Sequence, residues 1–256
     1  MTNNDENELL ELATKAAISA GQKILSYAHP IQVEFKSDNT NPITDADKLG
    51  ETVIKNIIMQ ARPNDGIIGE EGTNIKSKTG LRWVFDPLDG TINYIYKIPH
   101  WAVSISCEEF DGWCWKPKVG VIYDIARNEI FSAIKNNGAV LNDSKIAVNE
   151  IKDFSEALLS TEYSYNRRKR LYQTKIMSDL LLKVRDIRSC GSSVLDLCWV
   201  ACGRFDGFYE NELSPWDWSA GSLIVQEAGG IITPLGTGII ASPQLIHKKL
   251  CQFVKR

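Results

Sequence analysis

Apolar positions recur at helical spacing from the start of the chain. Leu9, Ala13, Ala16, Ala17, Ala20 and Ile24 share one face of a 3.6-residue repeat, which predicts an amphipathic helix over about 5–28. Residues 33–36 read as extended, and the run SDNTNP at 37–42 as a loop. A second helix is predicted over about 45–60, with Leu49, Val53, Ile57 and Ile58 as its apolar positions and Thr44 as its cap. Short apolar runs predict strands at 67–68 and 82–86. A β-rich stretch follows at 102–107, 119–123 and 129–133, broken by turns at Asp111-Gly112 and Arg127-Asn128. Beyond about residue 150 strands and helices alternate, with strands at 157–161 and 184–188 and helices at 167–182, 192–202, 215–228 and 243–254. No repeat, low-complexity segment or Gly/Ser linker interrupts the pattern. The expectation is one α/β unit whose subdomains, 1–150 and 151–256, pack closely.

Composition narrows the class. The 256 residues are 43% apolar and 24% charged, ordinary for a globular protein with a substantial core. A net charge of −3 gives no general reason to expect nucleic acid or an anionic membrane as a partner. Asp5, Glu6, Glu8 and Glu11 carry the wrong charge for a signal peptide, and no apolar run reaches a membrane-spanning length. A cytoplasmic protein is expected. Six cysteines stand at 107, 114, 190, 198, 202 and 251, none in a C-x-x-C pair. Cys198 and Cys202 could share a helix face, but no histidine lies nearby in sequence to complete a zinc site. Reduced, mostly buried thiols are expected.

The chemistry concentrates in four acidic stretches. In W83-V-F-D-P-L-D-G-T-I-N-Y94 an apolar run delivers Asp86 to the end of a strand, Pro87 biases it toward an extended conformation, and Asp89 precedes Gly90 and Thr91. Gly90 permits a sharp turn, and Thr91 stands where a short helix could begin with exposed N–H groups suited to a phosphate. Gly69-Glu70-Glu71-Gly72 follows an apolar pair. In T44-D-A-D47 and S214-P-W-D217 helix capping alone accounts for the acids. Helix chemistry does not account for the two tryptophans flanking Asp217, or for the small residues Ser219, Ala220 and Gly221 beside it. Close carboxylates repel unless a cation or a proton offsets the charge. Glu70, Asp86, Asp89 and Asp217 together supply hard oxygens of the kind that suits Mg2+.

The sequence D86-P-L-D-G-T-I-N93, preceded by G69-E-E71 and followed by W216-D-W-S-A-G221 and E227-A-G-G230, resembles the inositol monophosphatase family. The resemblance runs from about Lys36 to the C-terminus. It implies a layered αβαβα sandwich of mixed α/β (α+β) class, a homodimer, and lithium-sensitive hydrolysis of a small phosphate monoester by metal-activated water without a phosphoenzyme. Inositol monophosphate is the expected substrate. Carried over by position, Glu70, Asp86, the Leu88 carbonyl, Asp89 and Asp217 would hold two to three Mg2+ ions. Thr91, oriented by Asp47, would position the attacking water together with Glu70. The Gly90 and Thr91 N–H groups would receive the phosphate. Gly191, Ser192, Ser193, Glu210 and Asp217 would contact the rest of the substrate, and Lys36 matches a lysine near the metal loop. Ile92, Gly72 and a missing histidine in Y94-I-Y-K-I-P99 depart from the pattern without removing a ligand, and they bear on substrate preference.

Other readings fit less well. Haloacid-dehalogenase phosphatases space their acids D-x-D-G-T, whereas Pro87 and Leu88 intervene here. A serine- or cysteine-nucleophile hydrolase lacks a G-x-S-x-G motif, and His100 beside Trp101 reads as structural. Within the superfamily, 3′-phosphoadenosine nucleotides, histidinol phosphate and fructose bisphosphate are the rival substrates. A regulatory or binding protein on the same scaffold is the alternative of a different class, with the basic run Arg167-Arg168-Lys169-Arg170 as a candidate contact.

Overall fold

A computed structural model describes residues 3–27, 32–36 and 41–255. Helix α1 (Asn3–Leu25) is followed by the paired strands β1 (Val33–Phe35) and β2 (Pro42–Thr44) and by helix α2 (Asp45–Ala61). Then come β3 (Gly66–Gly69), β4 (Asn74–Ile75), β5 (Leu81–Asp89), the short helix α3 (Thr91–Ile95), β6 (Ala102–Phe110), β7 (Trp115–Asp124), β8 (Glu129–Ile134), β9 (Ala139–Leu141) and β10 (Ser144–Lys145). The rest of the chain is β11 (Leu158–Ser160), α4 (Arg167–Leu181), β12 (Asp186–Arg188), α5 (Ser193–Ala201), β13 (Gly207–Glu210), α6 (Pro215–Glu227), β14 (Ile231–Leu235), β15 (Gly238–Ser242) and α7 (Gln244–Val254).

Two sheets organise these elements. The larger has the order β10-β9-β8-β7-β6-β5-β3-β4 and is antiparallel except where β3 runs parallel to β5. The smaller has the order β12-β11-β13-β15-β14, with β11 parallel to both neighbours. Side chains alternate across a strand, so each sheet feeds two cores. Val103, Ile105, Cys107, Val119 and Val121 meet Ala13, Ala16, Ala17 and Ala20 of α1 and Ile54 and Ile58 of α2. Ala102 and Ile122 point the other way, toward Val194, Leu197 and Val200 of α5, Leu223 and Ile224 of α6, and Phe208 and Ala241 of the smaller sheet. Tyr209 and Ile240 close a third core with Ile176 and Leu180 of α4 and Ile246 and Leu250 of α7. The layers therefore run helix, sheet, helix, sheet, helix, as the resemblance implies. Residue 150 falls between the two sheets, and the middle core draws on both sides of it.

The helices at 45–60, 167–182, 192–202, 215–228 and 243–254 stand where the periodicity predicts them, and the turns at Gly112 and Asn128 take the positive φ that a hairpin requires. The first helix starts at Asn3 and ends at Leu25, earlier than predicted. Of the predicted loop, 37–40 lies outside the described residues and Pro42 belongs to β2. Asp86 is not the end of its strand. The ladder with β6 shifts register between Asp86 and Asp89, and this bulge lets β5 continue through Pro87, which has no N–H to give a central strand. Sequence reading passed over β13 and the β14–β15 hairpin. Phe208-Tyr209 is a very short apolar signal, and Pro234 in β14 argues against a strand unless the strand lies at a sheet edge, where it does lie. Among the described residues no helix is long and apolar enough to cross a membrane. All six cysteines are free, but only Cys107 and Cys198 are buried, and Cys114 is exposed.

Candidate metal centre and active site

The acids converge where the larger sheet meets the middle helical layer. Asp86 and Asp89 come from the bulged end of β5, and Asp217 comes from the first turn of α6. One carboxylate oxygen from each lies within 4.8 Å of the others. Asp86 is buried, while Asp89 and Asp217 are partly open. Glu70, in the turn after β3, stands beside Asp86. Burial, then the charges of Glu70, Asp89 and Asp217, push the Asp86 carboxyl well above its ordinary value. Burial lifts Asp89 to about 7, against the bonds from Ser192 and Val194. Burial, Glu70 and Asp89 likewise lift Asp217. The Lys36 ammonium is engaged by Glu70 at 2.8 Å and Glu71 at 2.7 Å. Burial opposes its charge, yet the two glutamates hold it above the usual lysine range.

Local chemistry explains how each acid is held. Asp217 accepts from the Ser214 N–H at 2.7 Å in a capping box, so the capping role coexists with convergence. Gly221 brings α6 against α5, because a Cβ there would stand 2.6 Å from Leu197 Cδ1. Trp218 packs on the middle core, and the Trp216 carbonyl accepts from Ser104 Oγ at 3.3 Å, which ties α6 to β6. The Leu88 N–H donates to Asp86 at 2.8 Å. Gly90 has φ of +93°, and a Cβ there would meet the His100 carbonyl at 2.9 Å and that of Gly191 at 3.1 Å. Thr91 opens the five-residue α3. Its hydroxyl reaches Asp47 Oδ1 at 3.0 Å and the Leu88 carbonyl at 3.1 Å. Asp47, buried, also accepts the Thr44 N–H at 2.7 Å, and burial sets its pKa at about 6 in spite of those bonds.

The residues predicted for the substrate lie on the facing wall. Ser192 caps α5 and donates to Asp89 Oδ2 at 2.5 Å, and the Val194 N–H donates to the same oxygen at 3.1 Å. Gly191 precedes them with φ of +85°. Ser193 donates to Glu210 at the end of β13 at 3.3 Å. Burial first, then Glu162 and Asp217, drive the Glu210 carboxyl well above its ordinary value. Every predicted site residue is thus drawn into one region, although they come from seven separate segments.

Four residues that the sequence reading did not single out shape this region. Glu51 of α2 accepts the Glu71 and Thr73 N–H groups at 2.8 Å each and so forms the Glu70 turn. Asn93 donates to the His100 carbonyl at 2.8 Å and to that of Cys190 at 2.7 Å, joining α3 to the Gly191 loop. Glu162 receives the Cys190 and Gly191 N–H groups at 2.7 and 2.6 Å. The Tyr165 phenol faces the acids, and burial with Asp89, Glu70, Asp217 and Asp86 holds it above its ordinary range. Only Asn93 belonged to a quoted motif; the others carry no local signal.

All donors in the cluster are oxygens, and a divalent cation would relieve their mutual repulsion. This is the chemistry of a magnesium site, which the residues present fit. Asp86, Asp89 and Asp217 would hold such an ion, with Glu70 and the Leu88 carbonyl within the same region.

A family model described as the inositol monophosphatase family matches residues 5–252. A relative from Vibrio cholerae named Nus factor SuhB is 40% identical over 96% of this chain and 96% of its own length. The crystal structure of the extragenic suppressor protein suhB from Bartonella henselae is 32% identical, with a TM-score of 0.89 over 97% of this chain and 99% of that one. The inositol monophosphatase from Anabaena (Nostoc) is 34% identical, with a TM-score of 0.84 over 97% of this chain and 96% of that one.

Proposed function

This chain belongs to the inositol monophosphatase family, and on that premise we propose that it is a Mg2+-dependent phosphatase of small phosphate monoesters, with inositol monophosphate as its first candidate substrate. The convergence of Asp86, Asp89 and Asp217 within 4.8 Å carries the reading. Bound magnesium, two to three ions in this proposal, would acidify water and neutralise phosphoryl oxygens.

The protein's own groups do the rest. The Thr91 hydroxyl has one proton and two acceptors at hand, Asp47 and the Leu88 carbonyl. Whichever takes the proton, a lone pair remains to accept from the attacking water and aim it. Asp47, with its pKa near 6, stays mostly ionised at neutral pH and keeps Thr91 in that orientation. Glu70 is the neighbouring group able to receive the water proton. The Gly90 and Thr91 N–H groups would take the phosphate oxygens, and water would attack phosphorus in line, opposite the leaving alkoxide. Ser192, Ser193, Glu210 and the Gly191 backbone face the remainder of the substrate. Paired acid and hydroxyl groups there match the vicinal hydroxyls of a polyol.

The test is phosphate release from a panel of inositol monophosphate, 3′-phosphoadenosine, histidinol phosphate and fructose bisphosphate, with Mg2+ or with chelator. Mg2+-dependent release with preference for the inositol ester supports the reading. Clear preference for a nucleotide or histidinol phosphate overturns the substrate assignment.

A second reading has its own support. The V. cholerae relative at 40% identity is named a Nus factor, which favours a regulatory role on the same scaffold. Arg167, Arg168 and Lys169 are exposed at the start of α4. This local charge removes the force of the net charge as an argument against an acidic or nucleic-acid partner. A well-folded sample that releases no phosphate from the panel selects this reading. Homodimer formation, lithium sensitivity and a cytoplasmic location belong to the same proposal by family resemblance.

A further inference from the structure

Next to the Gly191 loop stands a second group of metal-ligating side chains. His100 precedes β6, Cys190 precedes α5, and Asp196 lies in the first turn of α5. A ring nitrogen of His100, the Cys190 sulfur and an Asp196 oxygen all lie within 4.8 Å of one another. His100 is 5% exposed and Asp196 0%. Even so, the His100 Nε2 has no hydrogen-bond partner, and the Asp196 carboxyl has only the Ser160 hydroxyl and the Glu162 carboxyl beside it. A buried ring nitrogen without a partner, next to two adjoining buried carboxyls, calls for an occupant.

The charge states favour a cation. Burial, and then Arg127, draws His100 down to about 4, so the imidazole is neutral and can ligate at neutral pH. Burial and the nearby Glu162 raise the Asp196 carboxyl. A cation would offset that pair of acids where no basic side chain bonds Asp196. The donor set of one nitrogen, one sulfur and one oxygen is softer than the all-oxygen cluster and suits Zn2+ or a similar borderline ion rather than magnesium. Tetrahedral zinc bonds of about 2.0–2.3 Å place ligand atoms about 3.3–3.6 Å apart, so a contraction of about 1 Å closes the site. Cys190 is only partly buried, which leaves a path of entry.

We propose that His100, Cys190 and Asp196 form a second cation site, distinct from the four-acid cluster, that takes one borderline divalent transition ion and clamps the loop carrying Gly191 and Ser192. Binding replaces the thiol proton of Cys190, and any proton on Asp196, with bonds to the ion, and the protons leave to solvent. The position gives the clamp its consequence. Asn93 joins the His100 and Cys190 carbonyls, and Ser192 bonds Asp89, so the ion would stiffen the wall opposite the acids.

The test is titration of the whole protein with Co2+ while Mg2+ saturates the acid cluster. The expected result is a near-ultraviolet thiolate-to-cobalt charge-transfer band that saturates at one ion per chain and is displaced by Zn2+. Asp86→Asn keeps the band, Cys190→Ser loses it, and Asp196→Asn weakens Co2+ about tenfold or more. A second measurement needs no variant: Zn2+ slows alkylation of Cys190, read by mass spectrometry, and leaves the exposed Cys114 unchanged. Absence of the band, its persistence in Cys190→Ser, or Cys190 alkylation indifferent to Zn2+ would each overturn the site and leave a water in its place.

Discussion

Replacing Asp89 by Asn tests the electrostatics of the acid cluster without reference to any substrate. Burial moves the Asp89 pKa from 3.8 to about 7 in the folded protein. Each pKa unit corresponds to about 1.4 kcal/mol, so at pH 8 the ionised Asp89 destabilises the metal-free fold by about 4 kcal/mol. The sign follows from proton counting. Between 3.8 and about 7 the folded state binds more protons at this carboxyl than the unfolded chain does, so metal-free stability falls as pH rises through that window. Asn removes the charge but accepts less well from Ser192 and Val194, a loss of about 1–2 kcal/mol. The net expectation is that Asp89→Asn in chelator at pH 8 is about 2–3 kcal/mol more stable than the wild type, which raises Tm by about 5–10 °C. At pH 5 the difference shrinks toward zero. Saturating Mg2+ narrows the difference: an ion at a hundred times its dissociation constant stabilises the wild type by about 2.7 kcal/mol, and the variant gains less. Phosphate release in the variant falls by orders of magnitude. Thermal unfolding followed by circular dichroism, at both pH values, with and without Mg2+, measures all of this. If Asp89→Asn proves less stable than the wild type in chelator at pH 8, the acids are not in mutual conflict and the cation argument fails.

Thr91→Val removes the hydroxyl that bonds Asp47. That bond lowers the Asp47 pKa, so the acidic limb of the kcat profile moves to higher pH; kcat falls about a hundredfold with KM little changed, and an unshifted limb contradicts the Thr91–Asp47 link. Gly191→Ala places a Cβ 2.7 Å from Asn93 Nδ2 at a φ of +85°. The left-handed backbone and the disturbed Asn93 bonds cost about 2–3 kcal/mol together, which lowers Tm measurably; a wild-type Tm excludes the crowding. LiCl lowers phosphate release where equal KCl does not, because a small hard cation competes for the carboxylates; equal effects of the two salts count against the cluster as the site of reaction.

Sequence alone determined which segments are helices and which acids are special. Helical periodicity and caps depend on residues within a few positions of each other, so Thr44, Ser214 and Pro215 marked their helix starts, and Asp86 with Asp89, Gly90 and Thr91 stood out within one short stretch. The family resemblance supplied the layer order. Local reasoning also misplaced the end of β5, because Pro87 reads as a strand stop unless its register shift against the neighbouring strand β6 is known. Tertiary structure decided the rest. Glu51 bonds residues about twenty positions downstream, and Glu162 holds a loop almost thirty residues later; neither spacing has a periodic signature. His100 and Cys190, ninety residues apart, lie side by side where Asn93 donates to both their carbonyls. No histidine lies near Cys198 and Cys202 in the sequence, while the fold brings His100 beside Cys190. Carboxylates repel at short range, so no local preference of the chain brings them together; the cores on either side of the larger sheet fix their positions and leave the charge for a cation to neutralise.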